Sequence, residues 1–318
     1  MSELSRRHFL SATAVGLGGL AASASGSSSV SASQAEAMVT KRRQRFAVST
    51  YSFWQFQHES YRDIEKCIDI AGELGFDGVE ILHRQMTSED NGYLQQLKKR
   101  AFINGLDLCG FSTHQGFLNP DPAVRQKNVD HTIHCIEMAY ALGIPTLRVN
   151  TGTWGTSKDF DDLMANKGIE PVREGCTEEQ GFQWVNEGLT ACLPTAEKCG
   201  VLLGLENHWG LGRTSAGVMK VVNEIKSPWL QVTMDTGNFL ENSIPQLEEL
   251  APHAVLVQAK TYFGGGRWYT LDIDYPKVAQ ILAANHYKGY VSLEFEGNAE
   301  PREGVEKSLA MLKDAFNA

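Results

Sequence analysis

Short apolar segments alternate with amphipathic stretches eight times from residue 45 onward, and this alternation constrains the fold more than any other feature. The apolar segments have the length of strands buried on both faces. The stretches between them carry apolar residues at helical spacing, as at Ile64, Cys67, Ile68 and Ala71. Repeated strand–helix units form parallel sheets. Eight units predict an α/β fold, a single-domain (β/α)8 TIM barrel over residues 45–318.

These patterns also predict where the elements lie. Gly75 and Gly143 follow two of the helical patterns, at the position where a glycine commonly ends a helix. Residues 151–177 are predicted to form a long connection that contains glycine and charged residues. The predicted strands are 45–50, 77–82, 106–112, 146–150, 201–206, 230–234, 254–259 and 290–295. The predicted helices are 61–74, 94–103, 122–142, one that ends near 200, 216–225, 245–250, 277–285 and 303–316.

The alternative α/β architecture is an open, doubly wound sheet, which usually carries a glycine-rich phosphate-binding turn after its first strand. No G-x-G-x-x-G pattern follows the first predicted strand. The length of 318 residues also fits one barrel, since barrels of this type commonly occupy about 250 residues. The number of units and the missing turn together favour the closed barrel.

Composition and charge exclude several classes of protein. The chain is 42% hydrophobic and 21% charged, which is ordinary for a soluble globular protein and excludes a disordered chain or a multi-span membrane protein. The formal net charge of −9 argues against nucleic acid as a partner, because binding to phosphates requires a concentrated basic surface. The acidic balance indicates little about a substrate, since it is the default for solvated enzymes.

Residues 1–37 resemble an export signal followed by a linker rich in Ser and Ala. Arg6 and Arg7 form a twin-arginine pair before a mild apolar stretch, and candidate small-residue cleavage points follow at 22–24 and 35–37. The apolar stretch is too short to cross a bilayer, so we expect no stable membrane span. The pattern predicts export by the twin-arginine route to the periplasm or the extracellular space.

The six cysteines show neither a C-x-x-C pair nor the tight spacing of a disulfide framework. Most lie in helical or strand patterns, where a free cysteine behaves as a small apolar side chain. In an oxidising compartment one pair could still be bridged. His131 and His134 lie within a helical pattern and are interpreted as structural residues.

Four of the later predicted strands bring an oxygen-bearing side chain to the point where the apolar run stops. Because the carboxyl ends of neighbouring parallel strands meet at one rim of a barrel, these side chains would line one arc. Three carboxylates and one amide oxygen supply four of the roughly six ligands that Mn²⁺ or Mg²⁺ prefers. Each acid alone could instead be a surface residue or a helix N-cap. The predicted metal ligands are Glu206, Asp235, Gln258 and Glu294.

Five segments carry a resemblance to a known family: GFDGVEILH, LGLENHWG, MDTGNF, VLVQAK and GYVSLEFEG. Residues 45–318 resemble the xylose-isomerase-like TIM-barrel family of sugar and sugar-phosphate isomerases and epimerases. In that family a Glu on strand five, an Asp on strand six, a residue on strand seven and a Glu on strand eight bind a divalent ion. The resemblance implies that Glu206, Asp235, Gln258 and Glu294 hold this ion. It also implies that Glu206 and Glu294 are the catalytic acid and base.

The chain departs from the family pattern at two positions. The strand-seven ligand of the family is often His, whereas this chain has Gln258. An amide oxygen favours Mn²⁺ or Mg²⁺ over softer ions, and Co²⁺ or Zn²⁺ stay open as alternatives. Asn238 stands where related epimerases often carry a His. Both differences leave the substrate open, and the resemblance also leaves open a homo-oligomer.

The chemistry that the resemblance implies is proton transfer next to a carbonyl, through a metal-bound enediolate. Glu206 and Glu294, on opposite sides of a bound sugar, would move a proton from one face to the other, which is epimerisation. Returning the proton to the neighbouring carbon is aldose–ketose isomerisation, and expelling a β-substituent makes the enzyme a keto-sugar lyase or hydrolase. Export favours a neutral or oxidised sugar over a sugar phosphate as the substrate.

Two alternatives belong to other classes of protein. The barrel could be a non-catalytic periplasmic sugar-binding protein that has kept the pocket. An endonuclease of related barrel shape would need three metal ions, more histidines at the rim and a basic surface for DNA. The composition argues against the endonuclease and leaves the sugar-binding protein open.

Further polar residues near the strand ends are candidates for substrate binding. Each has a plain alternative: a loop histidine bonded to the backbone, a lysine at the rim, or an arginine paired with a barrel acid. Glu296 is also the second candidate for the metal position of Glu294. The predicted substrate-binding residues are His208, Asn238, Lys260, Glu80, His114, Arg148 and Glu296.

Overall fold

Eight parallel strands close into a barrel in chain order within residues 43–317, the part of the chain that the computed structural model describes. Each strand pairs with the next, and the first pairs with the last. The predicted single-domain (β/α)8 barrel is therefore confirmed. The strands are β1 (Arg45–Ser49), β2 (Gly78–Leu82), β3 (Asp107–Ser112), β4 (Thr146–Val149), β5 (Leu202–Glu206), β6 (Leu230–Asp235), β7 (Ala254–Thr261) and β8 (Tyr290–Phe295).

Helices follow every strand and form the outer layer. Two of them are short additions, one directly after β1 and one in the long connection after β4, and the sequence analysis predicted neither. Each is too short to show a periodic apolar pattern. The helices are α1 (Tyr51–Trp54), α2 (Ile64–Leu74), α3 (Asn91–Ile103), α4 (Pro122–Leu142), α5 (Phe160–Ala165), α6 (Glu178–Cys199), α7 (Ser215–Ile225), α8 (Ser243–Leu250), α9 (Tyr275–Ala284) and α10 (Pro301–Asn317).

Local capping chemistry sets the ends of the long helices. The Asp63 side chain accepts a hydrogen bond from the backbone of the first turn of α2, and Gly75 ends this helix at a φ of 77°. Thr177 and Gln180 form a reciprocal capping box at the start of α6. The predicted start of α2 at residue 61 was wrong, because Glu59–Tyr61 forms a separate 3₁₀ turn before the Asp63 cap.

The interior of the barrel changes from apolar to polar along the strands. In the N-terminal halves of the strands, Ala47, Cys109, Leu256 and Tyr290 form a small buried cluster that closes the barrel. The main apolar core lies between the sheet and the helices. Above the small cluster the interior carries buried polar side chains, of which Glu80 is fully buried. The polar chemistry is thus confined to the C-terminal end of the strands, as is usual for this architecture.

Strand β7 is longer than the sequence predicted, and its length changes the position of Gln258. Its register pairs Lys260 with Glu294, whereas Gln258 pairs with Ser292 one layer deeper. The strand continues because β8 offers a partner up to Phe295. Lys260, and not Gln258, therefore takes the strand-seven position beside Glu294 at the rim.

The described residues contain no helix that combines the length and the apolar character needed to cross a membrane. All six cysteines lie in this part of the chain and are free thiols. The predicted twin-arginine signal and linker, residues 1–37, lie outside the described residues and stay a prediction.

Candidate active site

A pocket of about 600 Å³ opens at the C-terminal ends of the strands. It brings together the two predicted catalytic glutamates and five of the seven predicted substrate-binding residues. Two predicted metal ligands, Asp235 and Gln258, are fully buried and do not line it. The predicted residues that line the pocket are Glu206, Glu294, Arg148, Lys260, His114, His208 and Glu296.

A larger cavity of about 1070 Å³ lies at the opposite end of the barrel. Its lining includes N-terminal strand residues such as Leu108 and helix residues such as Lys98 and Phe102. None of the buried carboxylates in the described part of the chain borders it. The smaller pocket is therefore the one that is lined by buried carboxylates.

Glu206 ends β5 and is 1% exposed. Its Oε2 lies 3.3 Å from Nη1 of Arg148 without hydrogen-bond geometry, since that Nη1 donates to the Thr113 carbonyl at 3.1 Å. Its Oε1 accepts a hydrogen bond from the Asn238 amide at 3.3 Å. Burial raises the pKa of Glu206 to about 7, and the positive charge of Arg148 opposes part of that rise. A carboxyl group with a pKa near neutrality can both accept and donate a proton.

Lys260 on β7 is surrounded by carboxylates. Its Nζ lies 2.8 Å from Oε1 of Glu296, 3.3 Å from Oε2 of Glu294 and 3.6 Å from Oδ2 of Asp235. Burial alone would lower the pKa of Lys260, but the charges of these carboxylates raise it well above its usual value. The side chain therefore carries a positive charge among the acids that were predicted to bind a metal.

Glu80 lies below the pocket in the barrel interior. It accepts hydrogen bonds from Gln258 Nε2 at 2.7 Å, from Ser292 Oγ at 2.6 Å and from Ser112 Oγ. Burial, and then the charge of Glu294, raise the pKa of Glu80. The structure does not bring Glu80 to the pocket surface, where a substrate would bind. Glu80 accepts from the amide nitrogen of Gln258, and the amide oxygen of Gln258 has no hydrogen-bond partner among the described residues.

Several buried oxygen atoms in this region have no hydrogen-bond partner among the described residues. Leaving a buried polar atom unpaired costs about 1–3 kcal/mol, so such atoms commonly mark a site for a bound group. Carboxylate and amide oxygens are the donors that hard divalent ions prefer. The atoms are Glu206 Oε2, Asp235 Oδ2, Asn238 Oδ1 and Gln258 Oε1.

The same region holds more buried acids than buried bases. Four buried carboxyl groups face two buried cations, Arg148 and Lys260, so full ionisation would leave four minus two, or two, negative charges uncompensated. Burial of uncompensated charge is costly, and burial is the main reason that the pKa of Asp235 is raised well above its usual value. A divalent cation would balance this excess. The four carboxyl groups are Glu80, Glu206, Asp235 and Glu294.

The carboxylates predicted to bind the metal lie farther apart than the ligands of one bound ion. Glu206, Asp235 and Glu294 do not form a set whose ligand atoms all lie within 4.8 Å of one another. The donors therefore fit Mn²⁺ or Mg²⁺ in chemistry and in charge, and binding would require them to move closer together. An ion bound here would also compete with Lys260 for Asp235 and Glu294.

Two histidines line the pocket, His114 after β3 and His208 after β5. Burial lowers the pKa of His208 well below its usual value, and the charge of Arg148 adds to this effect. The pKa of His114, whose side chain is exposed at the pocket, is lowered in the same direction. Both rings are therefore neutral near pH 7. A neutral imidazole can accept one hydrogen bond and donate another, which suits contact with sugar hydroxyl groups.

The loops after the strands supply pocket residues that the sequence analysis did not single out. Trp268, after β7, donates from Nε1 to Asp161 Oδ1 at 2.6 Å, and its ring meets Phe160 edge-on with centroids 4.6 Å apart. This contact joins the loop after β7 to the connection after β4. The only signal for these residues in the sequence was the presence of aromatic side chains in loops. Their arrangement around the pocket could not be predicted, because the position of a loop depends on tertiary contacts. The other such residues are Tyr51, Phe56, Arg84, Asp159, Arg267 and Tyr269.

A comparison with protein families finds one match. The family described as "Xylose isomerase-like TIM barrel" matches residues 68–315, which is more than half of the chain. The chain belongs to this family. The resemblance that the five sequence segments indicated is thereby confirmed at the level of the family. No curated protein matches the sequence.

Several solved structures align with most of the chain. D-psicose 3-epimerase from Clostridium cellulolyticum H10 is 16% identical, with a TM-score of 0.65, and the alignment covers 86% of this chain and 99% of the epimerase. 3-keto-D-glucoside 4-epimerase from E. coli is 18% identical, with a TM-score of 0.67, and the alignment covers 86% of this chain and 100% of the epimerase. An L-ribulose 3-epimerase is 17% identical, with a TM-score of 0.68, and the alignment covers 86% of this chain and 95% of the epimerase. At these identities the likeness establishes a shared fold.

Proposed function

We propose that this xylose isomerase-like barrel is a divalent-metal-dependent sugar isomerase or epimerase. The observation that carries the proposal is the presence of two glutamates, Glu206 and Glu294, in one pocket that also borders unpartnered buried oxygens. The epimerases of psicose, ribulose and a 3-keto-glucoside that share the fold support a ketose or keto-sugar as the substrate.

Glu206, Asp235, Gln258 and Glu294 are the residues that would hold the metal ion. Mn²⁺ and Mg²⁺ match this set of oxygen donors better than Zn²⁺ does. When bound, the ion supplies positive charge that stabilises the negative charge developing on substrate oxygens. Glu80 supports this role, because it fixes the Gln258 amide with its oxygen free.

Proton transfer is assigned to the two pocket glutamates. One of them takes a proton from the carbon beside the substrate carbonyl, and the other returns a proton to the opposite face of the resulting enediolate. Glu206 is suited to hold a proton between steps, since its pKa of about 7 lies near neutrality. Glu294 is assigned the role of base, and the positive charge of Lys260 lies 3.3 Å from its Oε2.

Neutral histidines and loop side chains are assigned to binding. His114 and His208 contact sugar hydroxyl groups, and the joined loops carrying Asp161 and Trp268 restrict the access of water. Exclusion of water protects an enediolate from side reactions.

Solvent deuterium exchange tests the proposal. The protein is treated with EDTA, then incubated in D₂O with D-psicose, L-ribulose or a 3-keto-glucoside, with and without Mn²⁺. We expect deuterium in the recovered sugar and in its epimer or isomer only when Mn²⁺ is present. If no substrate is labelled at saturating Mn²⁺ or Mg²⁺, the proposed reaction is wrong.

The same experiment separates the alternatives. A keto-sugar lyase or hydrolase consumes the sugar and releases fragments instead of returning it labelled. A sugar-binding protein holds the sugar, as calorimetry would detect, but exchanges no proton, and its affinity survives replacement of both glutamates by glutamine.

We also propose export by the twin-arginine route, on the basis of Arg6 and Arg7 in the unmatched N-terminal segment. Replacing both arginines by lysine should retain the protein in the cytoplasmic fraction of a host that uses this route. An unchanged distribution between fractions would contradict the proposal.

A further inference from the structure

A second group of metal-ligating side chains lies outside the pocket, between the segment after β2 and helix α4. His83 directly follows β2, and His131 and Cys135 lie one turn apart on α4. One ligand atom from each lies within 4.8 Å of the others, and no other set in the described residues meets this condition. Spacing of four residues places the two helix residues on the same face of α4.

One distance in this group matches the separation between two ligands of a tetrahedral ion. Cys135 Sγ lies 3.7 Å from His131 Nε2. Bonds of about 2.3 Å to sulfur and about 2.0–2.1 Å to nitrogen at the tetrahedral angle separate two such atoms by about 3.6 Å. The rings of His83 and His131 have centroids 5.2 Å apart, close enough to present nitrogens to the same ion.

Glu89, just before α3, hydrogen-bonds to His83 and lies outside the set of three ligand atoms. Its Oε1 lies 2.6 Å from His83 Nε2, and its Oε2 lies 2.8 Å from His134 Nε2. A carboxylate that is hydrogen-bonded to a metal-ligating histidine commonly orients the ring, which is the part that Glu89 would play for His83. Thiolate and imidazole ligands favour zinc over the harder ions that suit the pocket.

We propose that His83, His131 and Cys135 form a zinc site, in which water would take the fourth position and Glu89 would orient the ring of His83. The competing arrangement is a hydrogen-bonded cluster without an ion, because Thr113 Oγ1 lies 2.9 Å from His131 Nε2 and 3.4 Å from Cys135 Sγ. The proposal is independent of the proposed sugar chemistry, since none of the four residues lines the pocket.

An ion at this site would brace one wall of the pocket. Thr113, next to the site, donates from its backbone N–H to the Arg148 carbonyl at 3.3 Å and accepts from Arg148 Nη1 at 3.1 Å. Arg148 in turn lies beside Glu206. The expected effect of zinc is therefore on the stability of the barrel and the position of Arg148, with no direct part in proton transfer.

Cobalt binding to the full chain tests the site, because a thiolate bound to Co²⁺ gives a sulfur-to-metal charge-transfer absorption that oxygen ligands do not. EDTA-treated protein is titrated with Co²⁺. We expect this absorption to saturate at one ion per chain and to disappear on addition of Zn²⁺. Cys135→Ser should abolish it, and His83→Gln should weaken cobalt binding at least about 10-fold.

Two control variants separate this site from other sources of signal. Cys192→Ser removes another buried free thiol, and Asp235→Asn removes a predicted ligand buried beside the pocket; neither should change the absorption. If Cys135→Ser does not fold, His83→Gln gives the decision, because His83 lies in a short turn and is partly exposed. Absence of the absorption in the unmodified protein, its persistence in folded Cys135→Ser, or an unchanged cobalt affinity in His83→Gln would overturn the proposal.

Discussion

Burial decides the ionisation of the residues in the pocket. Glu206 and Asp235 have raised pKa values mainly because they are removed from water, whereas Lys260 stays charged because carboxylates surround it. Burial also lowers the pKa of His208 and keeps its ring neutral. The pocket therefore contains a proton-holding carboxyl group, a fixed positive charge and neutral hydrogen-bonding rings, each made so by its surroundings.

Replacing either glutamate of the pocket by glutamine should remove exchange activity. Glu206→Gln and Glu294→Gln keep the size of the side chain but cannot transfer the proton, so we expect losses of about 10²–10⁴-fold in the rate of deuterium exchange. Glu187→Gln, an exposed change on α6, is the matched control and should leave the rate unchanged. Retention of activity in both pocket variants would remove these residues from the mechanism.

The raised pKa of Glu206 predicts a change in stability with pH in metal-free protein. Its pKa in the folded state, about 7, lies above the usual 4.5, so folding favours the protonated form. This stabilisation is fully present below about pH 4.5 and is lost as the pH rises through 7. We expect the free energy of unfolding, relative to Glu206→Gln, to fall by up to about 3 kcal/mol between pH 4.5 and 8.

Urea unfolding of EDTA-treated protein at several pH values measures this difference. The glutamine variant is the reference, because its side chain does not titrate. A difference that is constant with pH would show that burial does not raise the pKa of Glu206.

At the scale of elements, the strands carry the polar residues and the loops enclose them. The loops after β3 and β4 approach closely, because a Cβ built on Gly152 would lie 2.6 Å from Gly116 Cα. The loops after β4 and β7 meet through Phe160, Asp161 and Trp268. Both contacts link segments far apart in sequence, so each loop depends on its neighbour for its position.

Trp268→Ala should weaken substrate binding more than it slows chemistry. It removes the hydrogen bond to Asp161 and the contact with Phe160, and a hydrogen bond to a charged group contributes about 1.5–3 kcal/mol. We expect KM to rise about 10-fold or more, with a smaller change in kcat. Trp268→Phe keeps the ring and should have an intermediate effect.

Steady-state kinetics with the sugar that shows deuterium exchange measure KM and kcat. Trp184→Ala is the control, since Trp184 packs against Trp154 and does not line the pocket. An unchanged kcat/KM in Trp268→Ala would mean that the joined loops do not act on the substrate.

Gly152→Ala should destabilise the protein more than Gly175→Ala. Both glycines have a positive φ, 84° and 77°, so both substitutions share a backbone cost of about 1–2 kcal/mol. At Gly175 nothing lies within 4 Å of an added Cβ, whereas at Gly152 the backbone of Gly116 does. We expect an additional loss of about 1–3 kcal/mol for Gly152→Ala, measured by urea unfolding. Equal losses would contradict the close approach.

At the scale of the whole molecule, the barrel separates two kinds of ligand chemistry. Oxygen donors gather at the C-terminal mouth, while His83, His131 and Cys135 lie between the segment after β2 and α4. Hard ions such as Mn²⁺ should therefore affect the exchange activity, and zinc should affect the thermal stability of the same chain.

Restoring ions one at a time to EDTA-treated protein should separate these properties. Mn²⁺ should restore exchange activity in the unmodified protein and in Cys135→Ser alike. Zn²⁺ should raise the Tm of the unmodified protein but not that of Cys135→Ser, because only the former has the full ligand set. Thermal unfolding followed by circular dichroism, together with the exchange assay, gives both values. Loss of Mn²⁺-dependent activity in folded Cys135→Ser would show that the two sites are coupled.

The sequence by itself determined the barrel, the family and the residues at the strand ends, because strand–helix alternation and helix caps are local signals. Glu206 and Glu294 follow directly from it, since the ends of parallel strands share one rim. Tertiary structure decided what these residues contact. The register of β7 against β8 puts Lys260 beside Glu294 and directs Gln258 to Glu80, and pairing across strands cannot be deduced from either strand alone. The pocket loops and the grouping of His83 with α4 were likewise decided by packing between segments distant in sequence, for which local patterns carry no signal.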